Sequence, residues 1–312
     1  MLPVVWVLLI VVFSVAEPSK FFTHADFANI LSSQATLVIL SLALLLPLTA
    51  GDFDLSVASN AGFASMIIAV LNVSHHLPIV LCIVIALAAG AGIGFINGLV
   101  IIVFNVDAFI ATLGMGTVLA GLTLLLSGEN TINGVSPGLV SVVDGTWFGI
   151  SHLFYFALAL TLVLWYVAEH TITGRRILFA GLGPVVAQLS GVRVSRLRWA
   201  AMTLSGLLAA LAGLSYVGTI GAADPVSASG LLLPAYAAMF LGATTIAPGR
   251  FNAWGTTIAA YFLATGFTGL ELLGVNSWVQ QVFYGGILVI AVALASGGSR
   301  LSRKSGAAAG AN

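Results

Sequence analysis

Two carboxylates stand at the head of an apolar run, where Asp52 and Asp54 occupy alternate positions and Ser56 follows. A carboxylate among apolar residues is costly unless it lies at a water boundary, pairs with a partner or lines a wet cavity. We therefore treat Asp54 and Ser56 as candidates for a solute pathway. Helix capping is the alternative that needs no further function, because both side chains can accept hydrogen bonds from the first N–H groups of a helix.

Three glycines recur at every fourth position, Gly90, Gly94 and Gly98, and therefore line one side of a helix. Small residues at this spacing allow a second helix to approach closely, so we predict a packing role. Asn97 lies beside them, and a buried amide needs hydrogen-bond partners. We expect Asn97 either to bond across helices or to line the pathway.

Gln280 and Gln281 open the last apolar run, directly after Asn276 and Ser277. This position predicts that Gln280 lies at the outer mouth of a pathway. The alternative is an ordinary interfacial role, since polar residues are common where a membrane helix ends.

The segment 170–199 combines positive charge with the signals of a short helix. It holds five of the ten Lys and Arg residues, Pro184 suits a first helical turn, and Gly191 suits the position just past a helix end. Val185, Val186 and Leu189 fall on one face. A helix this short is unstable alone in water, so it must pack on the protein's own spans or in a groove of a soluble partner. A plain basic loop is the alternative.

Catalytic and metal-binding patterns are missing from the sequence. The lysines are Lys20 and Lys304, and neither belongs to a GxxxxGK[ST] phosphate loop. Cys82 is the single cysteine, and HExxH and zinc-type Cys/His spacings do not occur. We expect no catalytic residue, cofactor or metal in this chain, so a second subunit must hydrolyse any ATP that drives it.

Composition identifies the elements that must hold these residues. Of 312 residues, 60% are apolar and 6% are charged, against about 25% charged in soluble domains, and the mean hydropathy is +1.13. Too few charges remain to cover a water-soluble enzyme, and no basic field exists to meet nucleic acid. The apolar runs are long and nearly continuous, which predicts an all-α polytopic membrane protein rather than a barrel.

Ten candidate transmembrane helices can be drawn: 1–16, 29–50, 55–72, 77–103, 108–127, 151–168, 199–218, 230–247, 252–273 and 277–296. If the N-terminus is cytoplasmic, nine of the ten basic residues fall on the cytoplasmic side and only Lys20 falls outside. This asymmetry follows the positive-inside rule and predicts that both termini are cytoplasmic. The small polar tail at 302–312 is expected to be disordered.

Two segments 170 residues apart share Gly, Asp, Ala and Ser at the same offsets: 51–60 reads GDFDLSVASN and 221–230 reads GAADPVSASG. The span count places them on opposite faces of the membrane. We carry an inverted repeat as a hypothesis, because many transporters use this arrangement for alternating access.

The chain also resembles the ribose/xylose-type ABC sugar importer permeases. Ala50–Val57 is similar to the family's GGIDLSVGS signature, and four further motifs follow in the same order as in the family: 109–114, 174–176 with 187–192, 205–213, and 249–256. Ala50, Phe53, Ala58 and Asp107 depart from the usual pattern, as does the run 242–249, which has fewer glycines. These departures leave the substrate subclass open.

The resemblance implies the permease subunit of a type II ABC importer in a bacterial inner membrane. It implies one permease domain over 1–312 with a coupling loop at about 170–198, a second permease copy, identical or not, and a periplasmic sugar-binding protein. Two cytoplasmic ATPase subunits, which bind the ATP and Mg, would dock on that loop. The coupling residues carried over are Arg175, Arg176, Pro184, Val185, Ala187, Leu189 and Gly191.

Two other functions remain open on the residues alone. An ion-coupled secondary transporter acting alone would use Asp52, Asp54 and Asp107 to carry the coupling ion. An intramembrane enzyme would need paired catalytic groups within a span, whereas the carboxylates here lie near span ends.

Overall fold

The computed structural model of the protein describes residues 2–16, 21, 24–276 and 278–309. Lys20 and Ser277 therefore lie outside the described residues. The helices, in chain order, are α1 Leu2–Ala16, α2 His24–Ser33, α3 Ala35–Ala43, α4 Leu45–Ala50, α5 Val57–Ala69, α6 Ile79–Val103, α7 Ala108–Ser127, α8 Pro137–Val143, α9 His152–Trp165, α10 Ile172–Leu182, α11 Pro184–Leu189, α12 Val194–Ile220, α13 Leu232–Gly242, α14 Ala253–Leu272 and α15 Trp278–Ala309.

Three short turns and four two-residue strands complete the described structure. Turns at Val70–Ser74 and Tyr166–His170 extend α5 and α9, and a turn at Ser227–Leu231 leads into α13. The strands are β1 Ile132–Asn133, β2 Thr146–Trp147, β3 Ile150–Ser151 and β4 Ala222–Ala223. β1 pairs with β4 and β2 pairs with β3, both antiparallel.

Six of the described helical segments are long and apolar enough to cross a membrane: Phe27–Ala50, Val57–Ser74, Ile79–Val103, Ala108–Ser127, His152–His170 and Val194–Ile220. Shorter apolar helices lie at Leu2–Val15, Ser227–Gly242 and Trp278–Ala293. The prediction of a polytopic helical membrane protein is confirmed at this level.

The second span is divided into α2, α3 and α4. Pro47 accounts for the break at Leu44, because its nitrogen cannot donate to the carbonyl of Ala43 and its ring clashes there. The chain restarts as α4 with Pro47 in the first turn, where the missing N–H costs little. The span is nevertheless central, since 78% of its apolar window is buried.

Close contact between α6 and α12 confirms the packing role predicted for the glycines. A Cβ added at Gly94 would lie 2.3 Å from the carbonyl oxygen of Met202, and one added at Gly206 would lie 2.3 Å from that of Gly90. Neither position can accept a side chain without moving a backbone. Gly98 packs against the indole of Trp199.

The connecting segments gather at two ends of the bundle. At one end β1 pairs with β4, and the N–H of Ser136 donates to Asn72 at the end of the span that begins with α5. At the other end Asp52 pairs with Arg198. The helix α12 joins the two ends and is about 40 Å long. We call these the strand end and the arginine end.

The two segments proposed as a repeat share local geometry. Gly51 and Gly221 both adopt left-handed conformations, with φ of +94° and +69°, and end α4 and α12. Asp54 and Asp224 each accept hydrogen bonds from the N–H and hydroxyl groups of a serine two or three residues on. The first segment lies at the arginine end and the second at the strand end.

The C-terminal tail begins within the last helix. Helix α15 runs to Ala309, and the disorder expected for 302–312 stays a prediction. Ala307, Ala308 and Ala309 are the strongest helix formers and extend the last span. The final part of the predicted tail, 310–312, lies outside the described residues.

Candidate functional site

The non-helical turn at 51–56 lies inside the bundle, between α4 and α5. Its buried backbone N–H groups need hydrogen-bond partners, and side chains of the neighbouring helices supply them. The N–H of Leu55 donates to the hydroxyl of Thr112 on α7 at 3.0 Å, and the N–H of Asp54 donates to the hydroxyl of Tyr236 on α13 at 3.1 Å. Neighbouring helices therefore fix the position of the turn.

The carboxylate of Asp54 is the centre of a buried polar cluster. Its Oδ1 accepts from the hydroxyl of Ser56 at 2.6 Å, and its Oδ2 accepts from the hydroxyl of Ser205 at 2.7 Å. The amide of Asn97 donates to the oxygen of Ser56 at 2.8 Å. With Tyr236, these residues form what we call the Asp54 cluster. Asp54, Ser56 and Asn97 are each 1% exposed.

The hydrogen bonds of Asp54 and Ser56 show which of these side chains acts as a helix cap. Asp54 accepts from the N–H of Ser56, as a capping side chain would. Ser56 makes no side-chain capping bond, because its hydroxyl donates to Asp54 instead. Asn97 bonds across helices, and its Oδ1 is buried without a partner among the described residues.

The structure thus brings together three of the four predicted pathway residues. It adds Ser205 and Tyr236, which sequence reasoning missed. Ser205 stands in a small-residue stretch of α12, so its hydroxyl carried no signal. Tyr236 lies 182 residues from Asp54 in the chain, and only the packing of α13 brings it to the turn.

A bidentate ion pair closes the arginine end next to the cluster. Nε of Arg198 lies 2.7 Å from Oδ2 of Asp52, and Nη2 bonds Oδ1. Asp52 is 3% exposed, so its charge depends on this partner. Sequence reasoning counted Arg198 as a loop residue, whereas it lies inside α12. The pair ties the 51–56 turn to the start of that helix.

The predicted helix after Pro184 is present as α11. Pro184 occupies its first turn, and Gly191 follows its end with φ +81°. Ala187 is fully buried against Ala180 and Val194. The opposite side is apolar and open, since Val185 and Leu189 are 67% and 85% exposed. The helix is therefore anchored along one side and uncovered along the other.

Basic residues surround this helix. Arg175 and Arg176 lie exposed on α10. Arg175 borders a cavity that also contacts Glu169 and Arg250, and Arg176 borders another with Arg193 and Arg196. The surface of the arginine end is thus positively charged around an apolar patch.

Helix α10 connects this surface to the buried turn. A Cβ at Gly181 would lie 2.0 Å from the carbonyl oxygen of Thr49, so α10 rests directly on α4. The helix α4 leads through Gly51 into the turn that holds Asp52 and Asp54. A displacement of α10 and α11 would reach the Asp54 cluster through two contacts.

Gln280 lies apart from the Asp54 cluster. It borders a cavity of 330 Å³ near the strand end, together with Tyr284 of α15 and Tyr216 of α12. The prediction grouped four residues as one pathway, and the structure places them at two separate depths of the bundle.

Comparison with known proteins gives a family match over most of the chain. Residues 27–292 match the family described as branched-chain amino acid transport system / permease component. The ribose import permease protein RbsC of Escherichia coli (strain K12) is 32% identical over 291 residues, covering 91% of this chain and 89% of that protein.

Two further relatives have similar coverage. The ribose import permease protein RbsC of Bacillus subtilis (strain 168) is 33% identical over 92% of this chain and 89% of its own length. The autoinducer 2 import system permease protein LsrC of Enterobacter sp. (strain 638) is 31% identical over 91% of this chain and 82% of its own length. No solved structure matches the chain.

Proposed function

This chain belongs to the family of transport-system permease components, and from that premise we propose that it is the membrane-spanning subunit of an ATP-driven importer for a small sugar or sugar-like solute. The substrate class comes from its relatives, which are named as permeases for ribose and autoinducer 2 import. Solute would arrive on a periplasmic binding protein, which selects it. The chain itself would be a gate that carries no catalytic group.

The observation that carries the proposal is the half-covered helix α11. An apolar surface at the end of a membrane protein, ringed by arginines, needs a cover in water. A groove on a soluble ATPase subunit supplies one. The sequence lacks a phosphate loop, so ATP and Mg would bind to that partner. The proposed contact residues are Arg175, Arg176, Pro184, Val185, Ala187, Leu189 and Gly191, with Ala187 acting as the anchor.

Co-purification with the ATPase subunit encoded beside the gene tests this docking. Leu189→Asp places a charge on the apolar face and should abolish the complex. Phe148→Asp is the matched control, because Phe148 is 94% exposed in the loop between α8 and α9, towards the strand end. It should leave the complex intact. Full retention of the ATPase by the Leu189 variant would contradict the proposal.

We propose ten membrane crossings for the single domain 1–312, with both termini and the coupling loop at 170–198 in the cytoplasm. Among the described residues, six helical segments meet the length and hydropathy expected of a full span, and shorter apolar helices at Leu2–Val15, Ser227–Gly242 and Trp278–Ala293 support further crossings. Ten crossings would put the loops that contain β1 and β4 on the same side of the membrane, and these two strands do pair with each other at the strand end. The positive charge at the arginine end supports a cytoplasmic location.

The pathway would work by alternating access between the two ends. Asp54, Ser56 and Asn97 lie at the closed arginine end, and Gln280 borders the cavity near the strand end. The matching turns at Asp54 and Asp224 support an inverted repeat, since one is buried and the other lies near the surface. If the turn at Asp54 became exposed while the turn at Asp224 became buried, the arginine end would open and the strand end would close. A second permease copy would complete the assembly.

A further inference from the structure

The cavity near the strand end is bordered by five helical segments of the bundle and is partly open. Its volume is 330 Å³, at the lower end of the roughly 300–1,000 Å³ found for ligand pockets. Polar side chains from three of those segments border it: Gln34, Thr36, Tyr216, Thr219, Gln280 and Tyr284. A cavity of this size suits a small solute.

The chemistry of the lining points to a neutral solute. The described residues that border the cavity include amides, hydroxyls and the ring of Phe267, and none is Asp, Glu, Lys or Arg. Amide and hydroxyl groups both donate and accept, which matches the hydroxyl groups of a polyol. A charged solute would lack a counter-charge here.

Two of these polar side chains are buried at the wall of the cavity. Thr36 and Tyr284 are only 7% and 5% exposed, and burying polar groups among apolar helices costs free energy unless they find partners. Gln280 hydrogen-bonds to Tyr284, which orders one side of the cavity. Gln34 donates to the hydroxyl of Ser33, and Thr219 donates to the carbonyl oxygen of Ser215; both side chains border the cavity.

The position of the cavity fits an entry site. Thr219 and Ile220 border it and directly precede β4, so it lies at the strand end. At the arginine end both carboxylates are buried, Asp52 in its pair with Arg198 and Asp54 in its cluster. Solute in the cavity would therefore face the side opposite the ATPase.

We propose that this cavity is the acceptor site for a neutral polyhydroxylated solute, with Gln34, Tyr216, Gln280 and Tyr284 as its hydrogen-bonding groups. The inference rests on the proposed function and deepens it, because it assigns the place where the permease receives the sugar. The site holds the solute while the arginine end is shut.

Cysteine labelling tests the site directly. Gly230 borders the cavity, and a Cβ there meets nothing within 4 Å, so a side chain fits. The native Cys82 is fully buried and is replaced by alanine. In this background Gly230→Cys should react with a membrane-impermeant thiosulfonate added from the outer side. Asn130→Cys, exposed at the same end, is the matched control.

D-ribose and D-allose are the sugars to add, because relatives of this chain are named for the transport of these two sugars. At about twice its Kd, a bound sugar should slow labelling at position 230 about threefold, and labelling at position 130 should not change. Unchanged labelling at both positions, at sugar concentrations that saturate ATP-driven uptake, would overturn the inference.

Uptake by the complete transporter separates the two proposals. Gly230→Leu fills the cavity and should raise the KM for the transported sugar about tenfold, as loss of hydrogen bonds to the solute predicts. Gly121→Leu, which faces open space on α7, is the matched control and should leave KM unchanged. Equal KM values would refute the cavity site alone. If the wild-type transporter carries neither sugar, the proposed function fails and the inference fails with it.

Discussion

At the scale of single residues, the Asp52–Arg198 pair ties the turn at 51–56 to the start of α12. Asp52 is 3% exposed and depends on one guanidinium. The side chain of Arg198 is 32% exposed, so water screens part of the interaction. Removing Arg198 leaves a buried carboxylate without its counter-ion, which costs more than the pair contributes net.

Arg198→Gln should therefore destabilise the protein by about 2 kcal/mol, less than for a fully buried pair because of the partial exposure. The thermal unfolding midpoint of the purified protein in detergent measures the effect. Arg193→Gln is the control, since that residue is exposed at the same end. Adding Asp52→Asn to the Arg198 variant should recover part of the loss. No change in the single variant would show that the pair is dispensable.

At the strand end, the carboxyl group of Asp224 makes the stability of its turn depend on pH. Hydrogen bonds from Ser227 and from the N–H of Val226 lower the pKa of Asp224 from 3.8 to about 2. A depressed carboxyl pKa stabilises the fold above the ordinary value, and that contribution is lost as pH falls towards 2.

Amide hydrogen exchange of Val226 and Ser227 should accordingly stay slow from pH 7 down to about 4, after correction for the intrinsic rate, and should rise below that. Asp224→Asn should show faster exchange at every pH and no such transition. An unchanged exchange pattern in the asparagine variant would show that the Asp224 carboxylate does not stabilise the N–H groups of Val226 and Ser227.

Sequence reasoning reached part of the residue-scale arrangement. Asp54, Ser56 and Asn97 were singled out because polar groups among apolar runs need partners, and they do meet. Gln280 was grouped with them because a polar residue in an apolar run does not reveal from the sequence at which level of the bundle it lies. The partners Ser205 and Arg198 come from α12, and their distance along the chain hid both contacts.

At the scale of elements, close helix packing depends on glycine at defined positions. The spacing of Gly90 and Gly94 predicted a close neighbour but could not name α12. The predicted start of α12 at position 199 was five residues late, because arginines were taken as loop residues, whereas helix α12 begins at Val194. The division of the second span at Leu44 follows from Pro47, a signal present in the sequence.

Gly94→Leu should disrupt the α6–α12 contact, because its Cβ would lie 2.3 Å from a backbone oxygen. We expect a loss of about 3 kcal/mol or failure to fold. Gly92→Leu is the matched control on the same helix, since a Cβ there meets nothing within 4 Å. The folded yield and unfolding midpoint of the two variants should differ sharply. Equal yields would show that α6 can shift without cost.

At the scale of the whole molecule, the proposed transport cycle needs the strand end and the arginine end to face opposite sides of the membrane. The charge pattern and the loop contacts both support this arrangement. Asp54 is buried at the arginine end, whereas Asp224 lies near the surface of the strand end.

Orientation can be read by labelling Asn130→Cys and Ser190→Cys in the Cys82→Ala background, because both positions are exposed. An impermeant thiol reagent should label position 130 in intact spheroplasts and position 190 only after permeabilisation. Labelling of position 190 from outside would reverse the proposed topology and remove the basis for ATPase docking.

In the proposed function, a separate ATPase subunit binds α11 and drives transport through this chain. The most direct test of this proposal is uptake of radiolabelled D-ribose or D-allose into proteoliposomes containing the purified chain, with and without the ATPase subunit, the binding protein and ATP. The account predicts accumulation only when all components are present. Accumulation by the chain alone under a proton or sodium gradient would contradict it and would identify an ion-coupled transporter.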